Sequence, residues 1–255
     1  MMSLLGKCYY RIAGTRVGHR AACEGLRVAR HFGAFREFHT PLAGTEMPYR
    51  AARELMRLWQ RVHWSSGDGM MTPEERLAIF NLACSCSASG DIAELGCWKG
   101  LTTCYLAAAC RARGRGRVFA VDTFAGTREH DTQYASIDRH GGSTLPAFRN
   151  FMERGGFEDI VTACVGLTTE VAPRHRTRSF AFVLIDADHS YDGVRDDFEA
   201  WSPMVAPGGL VVFHDYAMPD AGVRDYVQRE VITRPDFEAA PGEILPNVFA
   251  VTRRQ

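Results

Sequence analysis

Residues 182–192 read FVLIDADHSYD. An unbroken apolar run stops at Asp186, and Asp188, His189, Ser190, Tyr191 and Asp192 follow at once. A short run without polar alternation fits a strand buried on both faces, as in a parallel sheet covered by helices. Its end admits two readings. Either a strand gives way to a polar loop, or the carboxyl end of the strand holds a reaction site. The surrounding chain decides between them.

Strand-like runs recur at IAEL (92–95), VFAV (118–121), IVTACV (160–165), FAFVLI (180–185) and LVVF (210–213). Helix-like stretches lie between them at Leu101–Arg113, Leu145–Arg154 and Val194–Met204, and GVRDYVQREVI (222–232) reads as one more. This alternation predicts an α/β fold with a mainly parallel, Rossmann-like sheet and helices on both faces. The end differs. FEAAPGEILPNVFAVTR (237–253) holds two short extended runs with no room for a crossover helix, which predicts an antiparallel pair.

Upstream, residues 1–70 read as a helical and irregular extension, a lid or an oligomer interface, ahead of a domain over 71–255. In EMPYRAARELMRLWQRV (46–62), Leu55, Leu58, Trp59 and Val62 have the spacing of an amphipathic helix. After the turn-like WSSGDGMM, Thr72, Pro73 and Glu75 spell an N-cap, a first helical position and a capping-box partner.

At 255 residues and 46% apolar composition, the chain can bury a core without disulfide staples. Net charge is zero, so nothing global points to nucleic acid. The charge is uneven, however: Lys7, Arg11, Arg16, Arg20, Arg27, Arg30 and Arg36 face only Glu24 and Glu37 over residues 1–40. Such a basic arm can meet a membrane surface, an anionic substrate or the protein's own acidic face. The eight cysteines show no paired CxxC spacing, which disfavours zinc. Cys84 and Cys86 fit small buried residues near a helix end. No signal-peptide h-region or membrane-length apolar run is present, so a reduced, cytoplasmic protein is expected.

Ligands in open α/β sheets bind beyond the carboxyl ends of the strands. The first strand exits into ELGCWKGLTT (94–103), where Gly96 and Gly100 bracket a tight turn. GxxxG is not the GxGxxG of a dinucleotide site. The second exits into VDTF, with Asp122 spaced to accept ribose hydroxyls or to serve as a turn or cap aspartate. The fourth delivers Asp186; GGLVVFHDY (208–216) delivers His214 and Asp215. Polar groups at so many neighbouring strand ends favour a shared pocket.

Together ELGCWKG, VDTF, IDADHSYDGVRDDFEAW and PGGLVVFHDY resemble the class I S-adenosylmethionine-dependent methyltransferases. The nearest branch looks like the O-methyltransferases of antibiotic and glycan tailoring. The resemblance runs from about residue 70 to the end. It implies a seven-stranded sheet whose last strand is antiparallel. It also implies that Glu94, Gly96, Cys97, Trp98 and Gly100 surround the methionine part of the cofactor. By the same resemblance, Asp122 holds the ribose, with Thr123 and Phe124 flanking the adenosine. Gly166, Leu167 and Thr168 follow the third strand, where relatives often carry an acidic or polar residue; Thr168 is kept as a cofactor contact. Asp186 matches the acid beside the transferring methyl and, in metal-using relatives, a magnesium ligand. His214 and Asp215 match the pair that completes such a site. A histidine there suits manganese, iron or zinc better than magnesium, or signals no metal.

Methyl transfer to oxygen requires alignment and removal of a proton. Asp186, His189 and His214 are the catalytic candidates, the histidines because they titrate nearest neutrality. Asp192, Asp196 and Asp197 read as a solvated helix start. Tyr191, Tyr216 and Trp98 are candidates for the pocket wall or for core. The polar stretch 125–142, with His130 and His140, reads as a lid. The expected reaction is O-methylation of a hydroxyl on a sugar or other natural-product intermediate, with a divalent metal assisting. The expected partner is a small-molecule acceptor, without nucleic acid or membrane span, and the protein a homo-oligomer. N-methylation, an NAD-dependent oxidoreductase and a non-catalytic cofactor-binding assembly subunit stay open as alternatives.

Overall fold

The computed structural model describes residues 49–64, 68–126, 141–219, 222–241 and 244–255. The basic arm and the loop histidines His130 and His140 lie outside the described residues. In chain order the helices are α1 (Tyr49–Arg61), α2 (Pro73–Ser85), α3 (Leu101–Arg113), α4 (Leu145–Gly155), the single turn α5 (Thr168–Val171), α6 (Tyr191–Trp201) and α7 (Val223–Tyr226). The strands are β1 (Asp91–Leu95), β2 (Val118–Asp122), β3 (Val161–Val165), β4 (Phe180–Ile185), β5 (Val205–Phe213), β6 (Phe237–Ala239) and β7 (Phe249–Arg253).

They form one seven-stranded sheet in the order β3-β2-β1-β4-β5-β7-β6. β1 to β5 pair in parallel, and β7 runs antiparallel to both β5 and β6. The expected sheet and its reversed last strand are therefore present. The stretch 240–248 is too short for a crossover helix, so β7 returns beside β6 and slots in against β5.

Alternate side chains of each strand feed two cores. One face packs α1 to α4, with Ile92, Phe182 and Leu184 of the sheet against Phe80, Leu106 and Trp59. The other packs α6 and α7, with Val183, Ile185 and Phe213 against Phe198, Trp201 and Tyr226. All six residues of β4 are buried, and full burial of each large apolar side chain contributes about 1.5–3 kcal/mol. Leu55, Leu58, Trp59 and Val62 of the α1 region join the first core, as their spacing predicts. Trp59 Nε1 donates to Tyr105 Oη at 3.0 Å, tying that segment to α3. Among the described residues no helix is long and apolar enough to cross a membrane.

The helix ends follow local chemistry. Both halves of the Thr72–Glu75 capping box form, with Pro73 opening α2. Cys86 caps that helix and is buried, while Cys84 is half-buried, and the described cysteines are free. α6 starts at Tyr191, earlier than the spacing predicts, because the Ser190 hydroxyl accepts Gly193 N–H at 3.0 Å. Ser202–Met204 then tightens into a 3₁₀ turn. The predicted helix at 222–232 is α7 followed by a wider π-type turn over Val227–Val231.

Candidate functional site

The sheet register lines up the strand tips. Leu95 pairs with Val121 and Ile185, and Ile185 pairs with Phe213. The next residues, Gly96, Asp122, Asp186 and His214, therefore stand in a row. β1 continues toward β2 on one side and abuts β4 on the other, so the strand order switches between Gly96 and Asp186. A cavity of about 420 Å³ opens there.

Gly96 makes that close approach possible. Its φ is +84°, and a Cβ would stand 2.1 Å from the Asp186 carbonyl oxygen. Asp122 then ties two loops together. Its carboxylate accepts Trp98 N–H at 2.7 Å and Phe124 N–H at 2.6 Å. This is the turn role left open above, and a carboxylate keeps further lone pairs for a ligand. Burial pushes the Asp122 carboxyl up, against the backbone N–H groups that favour its charge. Trp98, Phe124 and Asp215 are the non-glycine residues with left-handed φ among those described, at 50°, 56° and 55°. Such backbone costs about 1–3 kcal/mol per residue and gathers where a site over-determines it.

The cavity lining is acidic. Asp122, Asp186, Asp188, Asp196, Asp197 and Asp215 face it together with His189 and His214, and no described lining residue is Lys or Arg. His214 is buried, with Nδ1 at 2.9 Å from Asp186 Oδ1 and 3.2 Å from Asp215 Oδ2. Burial favours its neutral form, but Asp186, Asp215 and Glu75 override this and hold the imidazole well above its ordinary pKa. His214 therefore stands as a cation among carboxylates, unsuited to accept a proton. His189, half-buried, puts Nε2 at 3.1 Å from Asp215 Oδ2 and 3.8 Å from Asp186 Oδ1. Burial lowers its pKa, and the bond and charge of Asp186, with Asp215, raise it further than that. Asp215 is held below the usual carboxylate range by His214 and His189, despite its burial.

A metal would need a donor set facing one point. Asp186, His189 and Asp215 each offer a ligand atom, all within 4.8 Å of one another. His214, expected as a ligand, instead spends both nitrogens on carboxylate-side contacts. Two oxygens and one nitrogen fit a divalent ion completed by water.

The remaining expected contacts divide. Gly96, Trp98, Thr123 and Thr168 line the cavity. Glu94 and Cys97 are buried behind the turn, outside the lining. Glu94 accepts the Thr103 hydroxyl, and burial raises its pKa to about 8. Gly100 caps α3 against the Phe148 ring, and Phe124 packs on that same ring. Asp197 corrects the solvated-helix expectation. It lies on the inward side of α6, 2% exposed, bonded by the Thr168 hydroxyl, with its pKa raised to about 7 by burial. Because α6 begins early, Asp192 occupies the exposed first turn and Asp197 the second. Tyr216 stacks on Phe249 and Tyr191 meets Tyr226 edge-on, so both are outside the lining, whereas Trp98 is on it. Sequence reasoning missed Met70 and Met218, exposed methionines at the mouth. It also missed Asn247, whose place beside His214 depends on the fold of the terminal hairpin.

Comparison with known proteins agrees with this geometry. Residues 93–216 match the family described as a methyltransferase domain. A 4'-O-methyltransferase from Streptomyces olivaceus, acting on 8-demethyl-8-(2,3-dimethoxy-alpha-L-rhamnosyl)-tetracenomycin C, is 30% identical over 163 residues. That alignment covers 58% of this chain and 62% of the relative, so under two thirds of the relative's length is matched. Among solved structures, the O-methyltransferase NovP superposes with a TM-score of 0.59 at 18% identity, covering 93% of this chain and all (100%) of NovP. The O-methyltransferase TomG from Streptomyces achromogenes, involved in tomaymycin synthesis and solved with S-adenosylmethionine, gives 0.53 at 16% identity, covering 90% and 96%. Over residues 93–216 the chain is thus similar to methyltransferase domains, and its sheet has the fold of these O-methyltransferases.

Proposed function

We propose that the protein transfers the methyl group of S-adenosylmethionine to a hydroxyl oxygen on a sugar or other natural-product intermediate. The observation that carries this reading is the acidic cavity at the β1/β4 switch, free of Lys and Arg among its described lining. Such a lining attracts a sulfonium cation and repels the pyrophosphate of a dinucleotide, which disfavours the oxidoreductase alternative. Two buried polar atoms on lining residues, Trp98 Nε1 and Asp197 Oδ2, have no protein partner. They offer a donor and an acceptor for the cofactor's polar ends. The rhamnosyl 4'-O-methyltransferase relative supports a sugar hydroxyl as acceptor.

When bound, S-adenosylmethionine supplies an activated methyl carbon that leaves its sulfur as the acceptor oxygen attacks. The protein's part is to align and to take the proton. Gly96, Trp98, Asp122, Thr123 and Thr168 hold the cofactor, with Glu94 and Cys97 supporting the turn from behind. The acidic rim stabilises the sulfonium. His189 is oriented by the Asp215 and Asp186 carboxylates that its Nε2 faces, and its other ring nitrogen, Nδ1, receives the acceptor proton in its neutral form. His214 keeps its proton and orients Asp186.

A second reading is favoured by the convergence of Asp186, His189 and Asp215. These residues would hold a divalent cation, which supplies positive charge to the acceptor oxygen and lowers its pKa when bound. His189 is then a ligand and not the base.

The test is transfer of labelled methyl to a panel of glycosides and their aglycones. The expected result is transfer to a glycoside hydroxyl that falls about 10²–10⁴-fold in His189→Ala. Transfer to nitrogen, or a His189→Ala variant at wild-type rate, overturns the assignment.

A further inference from the structure

Glu75 has one oxygen more than its helix needs. It stands at the third position of α2, is 8% exposed, and precedes the segment matched by the methyltransferase family. Its Oε2 completes the capping box by accepting Thr72 N–H at 2.6 Å. Its Oε1 turns toward the site, 3.5 Å from His214 Nε2, and accepts Asn247 Nδ2 at 3.0 Å.

Asn247 comes from the β6–β7 connection and reaches the same point. Its Nδ2 also donates to Asp215 Oδ1 at 3.2 Å, while its Oδ1 accepts Ala217 N–H at 3.1 Å. Its backbone carbonyl accepts Tyr216 N–H at 3.3 Å. The far side of the His214 ring meets Asp186 Oδ1 at 2.9 Å. The imidazole is thus gripped at both nitrogens, by a carboxylate behind it and by cavity carboxylates in front.

We propose that Glu75 and Asn247 are positioning residues, which fix the His214 ring and through it the Asp186 and Asp215 carboxylates against the reacting groups. The inference rests on the methyltransferase reading above. A ring bonded at one nitrogen can swing about its Cβ and carry its carboxylate partner with it. A ring held at both cannot. Displacement of reacting groups by about 1 Å can cost 10²-fold in rate, so a grip on this ring reaches the chemistry without touching a substrate. It also makes the first turn of α2 and the terminal hairpin part of the working site, though both lie outside residues 93–216.

Two variants separate positioning from simple capping. Glutamine at this helix position still closes a capping box. Glu75→Gln therefore keeps the helix end but removes the charge facing His214. Thr72→Ala does the opposite: it weakens the cap and leaves Oε1 in place. The expected result for Glu75→Gln is a lower melting temperature, because a buried charge pair is broken, and, at an assay temperature where the variant is fully folded, a kcat lowered about tenfold or more with a KM for S-adenosylmethionine within about twofold. Thr72→Ala is expected to melt lower and keep its kcat. The side-chain ¹⁵N signals of His214, read by NMR without any acceptor, are expected to move in Glu75→Gln and to stay put in Thr72→Ala. If Glu75→Gln leaves those signals and kcat at wild-type values, or if both variants lose kcat only as they lose stability, Glu75 is a helix cap and the proposal fails. Should the wild-type protein transfer no methyl group, the methyltransferase reading fails separately, and the NMR comparison still decides whether Glu75 holds the ring.

Discussion

Replacing Gly96 with alanine puts a methyl carbon where the exit of β4 already stands. The new Cβ would lie 2.1 Å from the Asp186 oxygen, 2.6 Å from its carbonyl carbon and 2.7 Å from Ala187 Cα. All three are backbone atoms, so no side-chain rotation relieves the contact. Carbon atoms rest about 3.5–4.0 Å apart, and the tips of β1 and β4 must therefore part by roughly 1 Å. Overpacking of this kind costs about 1–3 kcal/mol. The left-handed φ of +84° adds about 1–2 kcal/mol for any residue with a Cβ. Gly208 provides the control: its φ is +76°, with nothing within 4 Å of an added Cβ. Gly208→Ala should show the backbone strain alone. At about 2–4 °C per kcal/mol for a chain of this size, Gly96→Ala should melt roughly 4–20 °C below wild type, and Gly208→Ala roughly 2–8 °C below. Because Asp186 moves with the strand tip, methyl transfer in Gly96→Ala should also fall about 10²-fold. Thermal melting of both variants beside a methyl-transfer assay reads all of this. A Gly96→Ala protein that melts with Gly208→Ala and turns over at wild-type rate would refute the close approach of β1 to β4.

Asp197 gives a pH signature. Below pH 3.8 both folded and unfolded chains hold its proton; from 3.8 to about 7 only the folded chain does, so stability falls with rising pH across that window. Asp197→Asn cannot ionise, and its stability relative to wild type should climb over the same window by up to about 1.4 kcal/mol per pH unit. Parallel stability curves for the two proteins in chemical denaturation would mean that Asp197 ionises as freely in the fold as in water. Metal removal separates the two roles of His189. With His189 as base, exhaustive EDTA treatment should leave the methyl-transfer rate within about twofold. A rate that collapses and returns with manganese or magnesium assigns Asp186, His189 and Asp215 to a cation.

What could be read from residues alone followed from period and position. The runs at 92–95, 118–121, 180–185 and 210–213 are buried on both faces, so their near-continuous apolar character, broken only by Glu94, marked a covered parallel sheet. The short spacing before FAVTR left only an antiparallel return. Gly96, Asp122, Asp186, His214 and Asp215 were legible as strand exits, since register brings successive strand ends together. What escaped depends on distances across the fold. Glu75 reads as a cap because its local partner Thr72 is three residues away, while His214 lies at the far end of β5. Asp197 reads as solvated because acids crowd the start of α6, and only the Ser190 cap, which advances the helix, turns it inward. His214 reads as a base because an isolated histidine titrates near neutrality. Three surrounding carboxylates reverse that, and they come from α2, β4 and its own neighbour.

The most direct measurement is calorimetric titration of the wild-type protein with S-adenosylmethionine, run in parallel with NAD⁺. An acidic cavity at the β1/β4 switch predicts saturable binding of the sulfonium cofactor at one site per chain and no heat from the dinucleotide. Folded protein that takes up NAD⁺, or that gives no heat with S-adenosylmethionine, would contradict the methyltransferase assignment at its root.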